Sequence, residues 1–113
     1  MTIAYLNGEY MPLEEARISP LDRGFLFGDG IYEVIPSYGG KMVGFGPHIE
    51  RMQSGLGAIE IKLGWNDEQW KALCQSLLEK NGNGNLGVYL HVTRGADTKR
   101  NHAYPEGVEP TVF

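Results

Sequence analysis

The stretch Asp22-Arg23-Gly24-Phe25-Leu26-Phe27-Gly28-Asp29-Gly30-Ile31-Tyr32-Glu33-Val34 decides how this chain is read. Gly24, Gly28 and Gly30 punctuate its first part, and β-branched and aromatic residues follow. Glycine has no Cβ, so it serves where backbone turns tightly or passes close to another group. Leu21–Gly30 is therefore predicted as loop, and Ile31-Tyr32-Glu33-Val34-Ile35 as a strand. With a period of two, Tyr32 and Val34 share one face of that strand and Ile31, Glu33 and Ile35 the other. A tyrosine at position 32 is either a core side chain or one that aims its hydroxyl into a cleft, and alternation leaves both open.

Working outward, Ile3-Ala4-Tyr5-Leu6 and Glu9-Tyr10-Met11 flank Asn7-Gly8, the signature of a hairpin, which Pro12 closes. Glu14–Ile18 is predicted as a further short extended stretch ended by Ser19-Pro20. On the other side, Gly39-Gly40 joins the central strand to Lys41–Phe45 as a second hairpin. The period then changes. Pro47 suits the first turn of a helix, and Ile49, Met52, Leu56 and Ile59 follow at amphipathic helical spacing. Asn66 or Asp67 is an N-cap for a second helix, whose apolar stripe is Trp70, Leu73, Cys74, Leu77 and Leu78. Asn81–Asn85 ends it, because Gly and Asn tolerate left-handed backbone. Leu86–Thr93 is predicted as a strand, Gly95–Gly107 as a polar loop, and Pro110–Phe113 as the start of another strand. That last strand has no visible end, as expected of a sheet severed from a longer protein or of an edge awaiting a partner. The predicted fold class is α+β: an antiparallel β-sheet with two helices packed on it.

Composition narrows the function. The 113 residues make one domain at most. The hydrophobic share of 42% and charged share of 21% are those of a soluble globular protein, while 16 glycines exceed the average share of ~7%. A net charge of −4 and the lack of a basic run argue against nucleic acid. The single cysteine, Cys74, excludes an internal disulfide and suits a reducing compartment. Its place in a helical stripe reads as a small buried hydrophobe. No apolar run reaches membrane-spanning length and no signal-peptide pattern opens the chain, so a cytoplasmic protein is expected. Gly44-Phe45-Gly46-Pro47-His48-Ile49 resembles a dinucleotide fingerprint but lacks its third glycine and a βαβ unit. His48, His91 and His102 show no metal-ligand spacing, so no metal is expected.

Two constellations suit an anion. Arg51 lies three residues after His48, on the same face of a helix near its N-terminus, where backbone N–H groups and the helix dipole favour negative charge. The alternative is a surface ion pair with Asp22 or Glu50, and His48 by itself reads as a hydrogen-bonded structural residue. The loop Gly95-Ala96-Asp97-Thr98-Lys99-Arg100-Asn101-His102 carries three potential cations with Arg94 at its edge. It fits either a substrate carboxylate or a solvated, mobile loop.

Taken together, Asp22-Arg23-Gly24, Phe27-Gly28-Asp29-Gly30, Tyr32-Glu33-Val34, His48-Ile49-Glu50-Arg51-Met52 and Val92-Thr93-Arg94-Gly95 resemble the amino-terminal domain of a fold-type IV (class IV) pyridoxal phosphate enzyme. That family holds D-amino acid aminotransferases, branched-chain aminotransferases and aminodeoxychorismate lyase. The similarity in order and spacing runs over residues 1–113. It implies that Arg51 contacts the phosphate of pyridoxal 5'-phosphate and that Tyr32 and Val34 line the substrate side of the site. It also implies that Arg100 and His102, two residues apart, hold the substrate carboxylate with Tyr32, as in the D-amino acid branch. Family members are homodimers, and this loop is expected to reach into the neighbouring subunit's site.

The family's Schiff-base lysine, the acidic partner of the pyridine nitrogen and the second set of phosphate donors lie beyond this segment. Lys41, Lys62, Lys71, Lys80 and Lys99 match no catalytic position. The expectation is the amino-terminal part of a transaminase that moves an amino group from a D-amino acid such as D-alanine to a 2-oxo acid. By itself it is expected to be inactive, with weak or absent cofactor binding. The alternatives are part of a branched-chain aminotransferase or of aminodeoxychorismate lyase, or a stand-alone binding or dimerisation module.

Overall fold

In the computed structural model, which describes residues 1–113, alternation and capping decide most of the elements. Strands β1 (Ile3–Leu6) and β2 (Glu9–Pro12) pair antiparallel, Ile3 opposite Pro12 and Leu6 opposite Glu9. Asn7 and Gly8 both take positive φ in the turn, as a two-residue hairpin requires. The four-stranded sheet is built from β3 (Gly30–Tyr38), β4 (Lys41–Met42), β5 (Leu86–Thr93) and β6 (Thr111–Val112) in the order β4-β3-β5-β6. All its pairings are antiparallel. The hairpin is tied to the sheet where Asn7 donates its N–H to Val112 O and accepts from Val112 N at its side-chain oxygen, 2.8 Å away.

Helices α2 (Phe45–Ala58) and α3 (Asp67–Lys80) bring their stripes to one side of this sheet. Ile49, Met52 and Leu56 from α2 and Trp70, Leu73, Cys74 and Leu78 from α3 bury against Ile35, Val88, Leu90, Val92 and Val112. Burial of such side chains contributes about 1.5–3 kcal/mol each. Asn66 opens α3 with a reciprocal capping box: its side chain accepts from Gln69 N, and Gln69 Oε1 accepts from Asn66 N, both at 2.9 Å.

Three local expectations are corrected. Glu14–Ile18 is not extended at its start, because Leu13–Glu15 forms a single 3₁₀ turn. Leu21–Gly30 is not all loop, because Arg23–Phe27 forms a short helix, α1. Lys41–Phe45 is a strand only over Lys41–Met42, and α2 begins at Phe45, ahead of Pro47.

Helix α1 is too short to stand by its own hydrogen bonds. Asp22 caps it by accepting from Gly24 N at 2.8 Å, and Gly28 ends it in the left-handed conformation with φ 64°. Gly24 lets the helix lie directly on β5, since a Cβ there would meet Thr93 Cγ2 at 2.2 Å. Arg23 N and Gly95 O close the contact at 2.8 Å.

Candidate functional site

The sheet has one face covered by α2 and α3 and one left open. On β3 and β5, Tyr32 stands opposite His91 and Val34 opposite Tyr89, all on the open face, while Glu33 and Ile35 point towards the helices. Tyr32 is 63% exposed; its ring stacks on Tyr89 with centroids 6.1 Å apart. Tyr89 Oη and His91 Nδ1 are 2.7 Å apart. Burial pushes the His91 imidazole below its ordinary value, against the opposing charge of Asp22. This face also borders a cavity of about 470 Å³ lined in part by Phe25, Tyr89, His91, Thr93 and Phe113.

On the covered face, Glu33 gathers an arginine and a histidine. Arg51 donates to both its oxygens in a fork, Nε to Oε2 and Nη2 to Oε1, each at 2.7 Å. His48 Nδ1 lies 2.7 Å from Oε1, and against an ionised carboxylate that nitrogen is the donor. Arg51 holds the Glu33 carboxyl below the usual carboxylate range, over the opposing effect of burial and with help from His48. The same hydrogen bond raises Arg51 further above its ordinary value. Glu33 is buried, with 4% of its side chain exposed, whereas Arg51 is 72% exposed. Its Nη1 makes no hydrogen bond within the chain, so Arg51 presents a fixed, outward-facing donor to an anion.

A second carboxylate gathers cations in the interior. Arg23 Nε and Arg94 Nε both donate to Asp29 Oδ2, at 2.8 and 2.7 Å, and Arg94 Nη2 reaches Oδ1 at 3.1 Å. Burial works to raise Asp29, but the two arginines more than reverse this and hold it below the usual range. Arg94 also donates to Ile59 O at 2.7 Å, and the ring of Tyr104 lies over its guanidinium, centroid 3.6 Å away. Arg23 donates through Nη1 to Asn101 O and through Nη2 to His102 O.

The structure places the residues singled out from the sequence in three groups. Tyr32 and Val34 share the open face, as alternation indicated. Arg51 pairs with Glu33 and not with Asp22 or Glu50; Asp22 is occupied by capping α1 and by Thr111 Oγ1, which donates to its Oδ2 at 2.6 Å. Arg100 and His102 come together on the ring of Phe27, with the Arg100 Cζ 4.8 Å and the His102 ring 4.9 Å from its centroid. Within one chain neither is hydrogen-bonded to Tyr32. Sequence reasoning gave no role to Glu33, Asp29 or Arg23. The signal was a pair of opposite charges six positions apart inside one loop, with nothing local to reveal Arg94 as its third member.

Comparison with known proteins puts this arrangement in context. The amino-transferase class IV family matches residues 30–113. The D-alanine aminotransferase of Staphylococcus haemolyticus is 40% identical over the whole chain, which covers 40% of that protein. The D-alanine aminotransferase of Listeria monocytogenes serotype 4b is 36% identical over 89% of the chain and 35% of its own length. The chain thus spans about 40% of the length of the curated relatives it matches. In fold it superposes on the branched-chain amino acid aminotransferase from Escherichia coli with a TM-score of 0.88 at 16% identity, over 98% of this chain and 39% of that one. The match runs through β3 with Tyr32, Glu33 and Val34, α2 with Arg51, and the strand and loop from Leu86 to Phe113, so the chain belongs to the class IV aminotransferases.

Proposed function

We propose that this chain is the amino-terminal domain, residues 1–113, of a pyridoxal phosphate-dependent D-amino acid transaminase, which moves an amino group from a D-amino acid such as D-alanine to a 2-oxo acid. The observation that carries the reading is the forked Arg51–Glu33 pair between the middle of α2 and β3, an exposed cation fixed by a buried carboxylate. The 36–41% identity to D-alanine aminotransferases supports the substrate class.

The residues fit a phosphorylated cofactor. Arg51 keeps one guanidinium nitrogen uncommitted for the phosphate, and Glu33 and His48 hold its orientation. When bound, pyridoxal phosphate supplies the electron sink through which the amino group leaves one acid and joins another. Tyr32 and Val34 line the substrate side, where the phenol donates a hydrogen bond and the valine limits side-chain size. Arg100 and His102 hold the substrate carboxylate, the arginine by a two-pronged pair. In the homodimer this loop serves the neighbouring subunit's site, consistent with its lying on Phe27, away from its own Tyr32. The domain by itself does not catalyse, because the lysine that bonds the cofactor belongs to the second domain.

The test is made on the full-length protein with pyridoxal phosphate and 2-oxoglutarate, offering D-alanine, L-leucine and aminodeoxychorismate in turn. Pyruvate formed from D-alanine alone supports the reading. Preference for L-leucine or for aminodeoxychorismate overturns it in favour of another branch of the family.

A further inference from the structure

Arg23 is buried, yet all its side-chain hydrogen bonds lead to the segment that carries Arg100 and His102 or to the carboxylate beneath it. Its Nε is bonded to Asp29 Oδ2 at 2.8 Å. Its two terminal nitrogens fork onto consecutive backbone carbonyls, Nη1 to Asn101 O and Nη2 to His102 O at 3.1 Å. These carbonyls lie 78 and 79 residues away in sequence, in a stretch with no helix or strand of its own. The guanidinium also lies 4.8 Å from the centroid of Phe27, the ring on which the Arg100 guanidinium and the His102 imidazole rest. Asp29 is held from its other side by Arg94, and Tyr104 closes over Arg94. The loop is thus pinned at its centre by a charged fork and at its far end by a stacked ring. Without such pins a polar stretch of this length pays conformational entropy each time it organises a site.

We propose that Arg23 is a positioning residue for substrate carboxylate binding: its fork onto Asn101 and His102, with Phe27 as platform, fixes the loop that presents Arg100 and His102. This rests on the role given to those two residues under Proposed function. A planar guanidinium is required, because it bonds one carboxylate and two carbonyls at once, which the single nitrogen of lysine does not do. The arrangement is complete within one chain, so the loop is already shaped before it meets a neighbouring subunit.

The deciding variant is Arg23→Lys in the full-length holoenzyme, which keeps a positive charge beside Asp29 and loses the fork. The KM for D-alanine is expected to rise about tenfold, with kcat and the bound cofactor's absorbance changed far less. Trypsin cleavage after Lys99 and Arg100, read by mass spectrometry, is expected to quicken roughly fivefold as the loop opens. Should Arg23→Lys fail to fold, Phe27→Leu removes the platform while leaving the Arg23–Asp29 pair in place and is expected to act in the same direction. Unchanged cleavage with unchanged KM overturns the inference and leaves the proposed function standing. Faster cleavage with unchanged KM shows that the loop does not hold the carboxylate, which overturns that part of the proposed function and the inference with it. A fall in kcat with loss of cofactor shows general damage and also overturns the inference.

Discussion

Asp29 and Glu33 stand four residues apart and solve the same problem in opposite ways. Each carboxylate gathers two nitrogen donors, a pair of arginines at Asp29 and an arginine with a histidine at Glu33, and each is held below its ordinary pKa range by them. Around Asp29 both partners are buried, Arg23 with 4% and Arg94 with 9% of the side chain exposed. Around Glu33 the carboxylate is buried but Arg51 is 72% exposed. The closed cluster spends its remaining donors on the chain itself, at Ile59, Asn101 and His102. The open cluster leaves a donor free. Similar pairing therefore holds a loop in one place and leaves a solvent-facing donor in the other, and solvent access to the arginine separates the two.

The largest effect that separates them is on stability. Asp29→Ala strands Arg23 and Arg94 as buried charges and is expected to cost about 3 kcal/mol, because breaking a buried pair leaves an uncompensated ion. Glu33→Ala leaves Arg51 solvated and is expected to cost distinctly less. Urea unfolding of the full-length protein checks the order. Equal losses would mean that burial of the arginines does not distinguish the clusters.

Ligand affinity is expected to reverse the ranking. Arg51→Ala should weaken pyridoxal phosphate binding roughly ten- to a hundredfold, the loss of a hydrogen bond to a charged group. Glu33→Gln, which slackens the fork while keeping the arginine, should weaken it by less. Arg94→Lys in the closed cluster should leave cofactor affinity near that of the unaltered protein. Cofactor titration by absorbance separates the three, and an Arg51→Ala protein that holds its cofactor as tightly as before would break the comparison.

How much of this the sequence disclosed follows from the distance over which each feature is encoded. The strand from Leu86 to Thr93 and the stripe of α3 were legible because alternation and helical spacing are local, and a local cap signal narrowed the helix start to Asn66 or Asp67, of which the structure uses Asn66. Tyr32 and Val34 were placed on one face by period two alone. Helix α1 was not legible, since five residues show no periodicity and its stability comes from Asp22, Gly28 and the packing of Gly24 on Thr93. Pro47 does lie in the first turn of α2, but the strand before it was drawn too far, to Phe45, because Gly44, with φ 72°, already turns the chain into the helix. The ion clusters were least legible. Arg51 finds Glu33 across 18 residues and Arg94 finds Asp29 across 65, distances at which no spacing rule operates.

Acid should sharpen the contrast by a smaller amount. Both carboxyls are lowered in the folded chain from reference values of 3.8 for Asp29 and 4.5 for Glu33. Between the folded and unfolded pKa values the unfolded chain binds more protons, so stability falls as pH falls. The contribution of each is complete above its unfolded value and is lost as pH drops through the lowered folded one. Unfolding temperature measured from about pH 7 down to about pH 3 should hold steady and then fall below about pH 4.5. Glu33→Gln should flatten part of that fall, and a variant as acid-sensitive as the parent would show that the open pair contributes nothing.

Cys74 offers the finest reading of the same contrast. It lies fully buried on α3 among the core side chains, and burial pushes its thiol up to about 12. At pH near 8 it is therefore both protonated and covered, and a thiol reagent reaches it only when the core opens. Loss of the Asp29 pins loosens the junction of α1 with β5 and frees Arg94, which donates to the Ile59 carbonyl just past α2, so Asp29→Ala should label Cys74 several times faster than the parent. Glu33→Gln disturbs only the pair with Arg51, whose guanidinium is already in water, and should leave labelling near the parent rate. Mass spectrometry of the peptide containing Cys74 reads both. If the two variants labelled alike, the closed and open clusters would be equivalent supports of the core, and exposure of the arginine would not be what sets their roles apart.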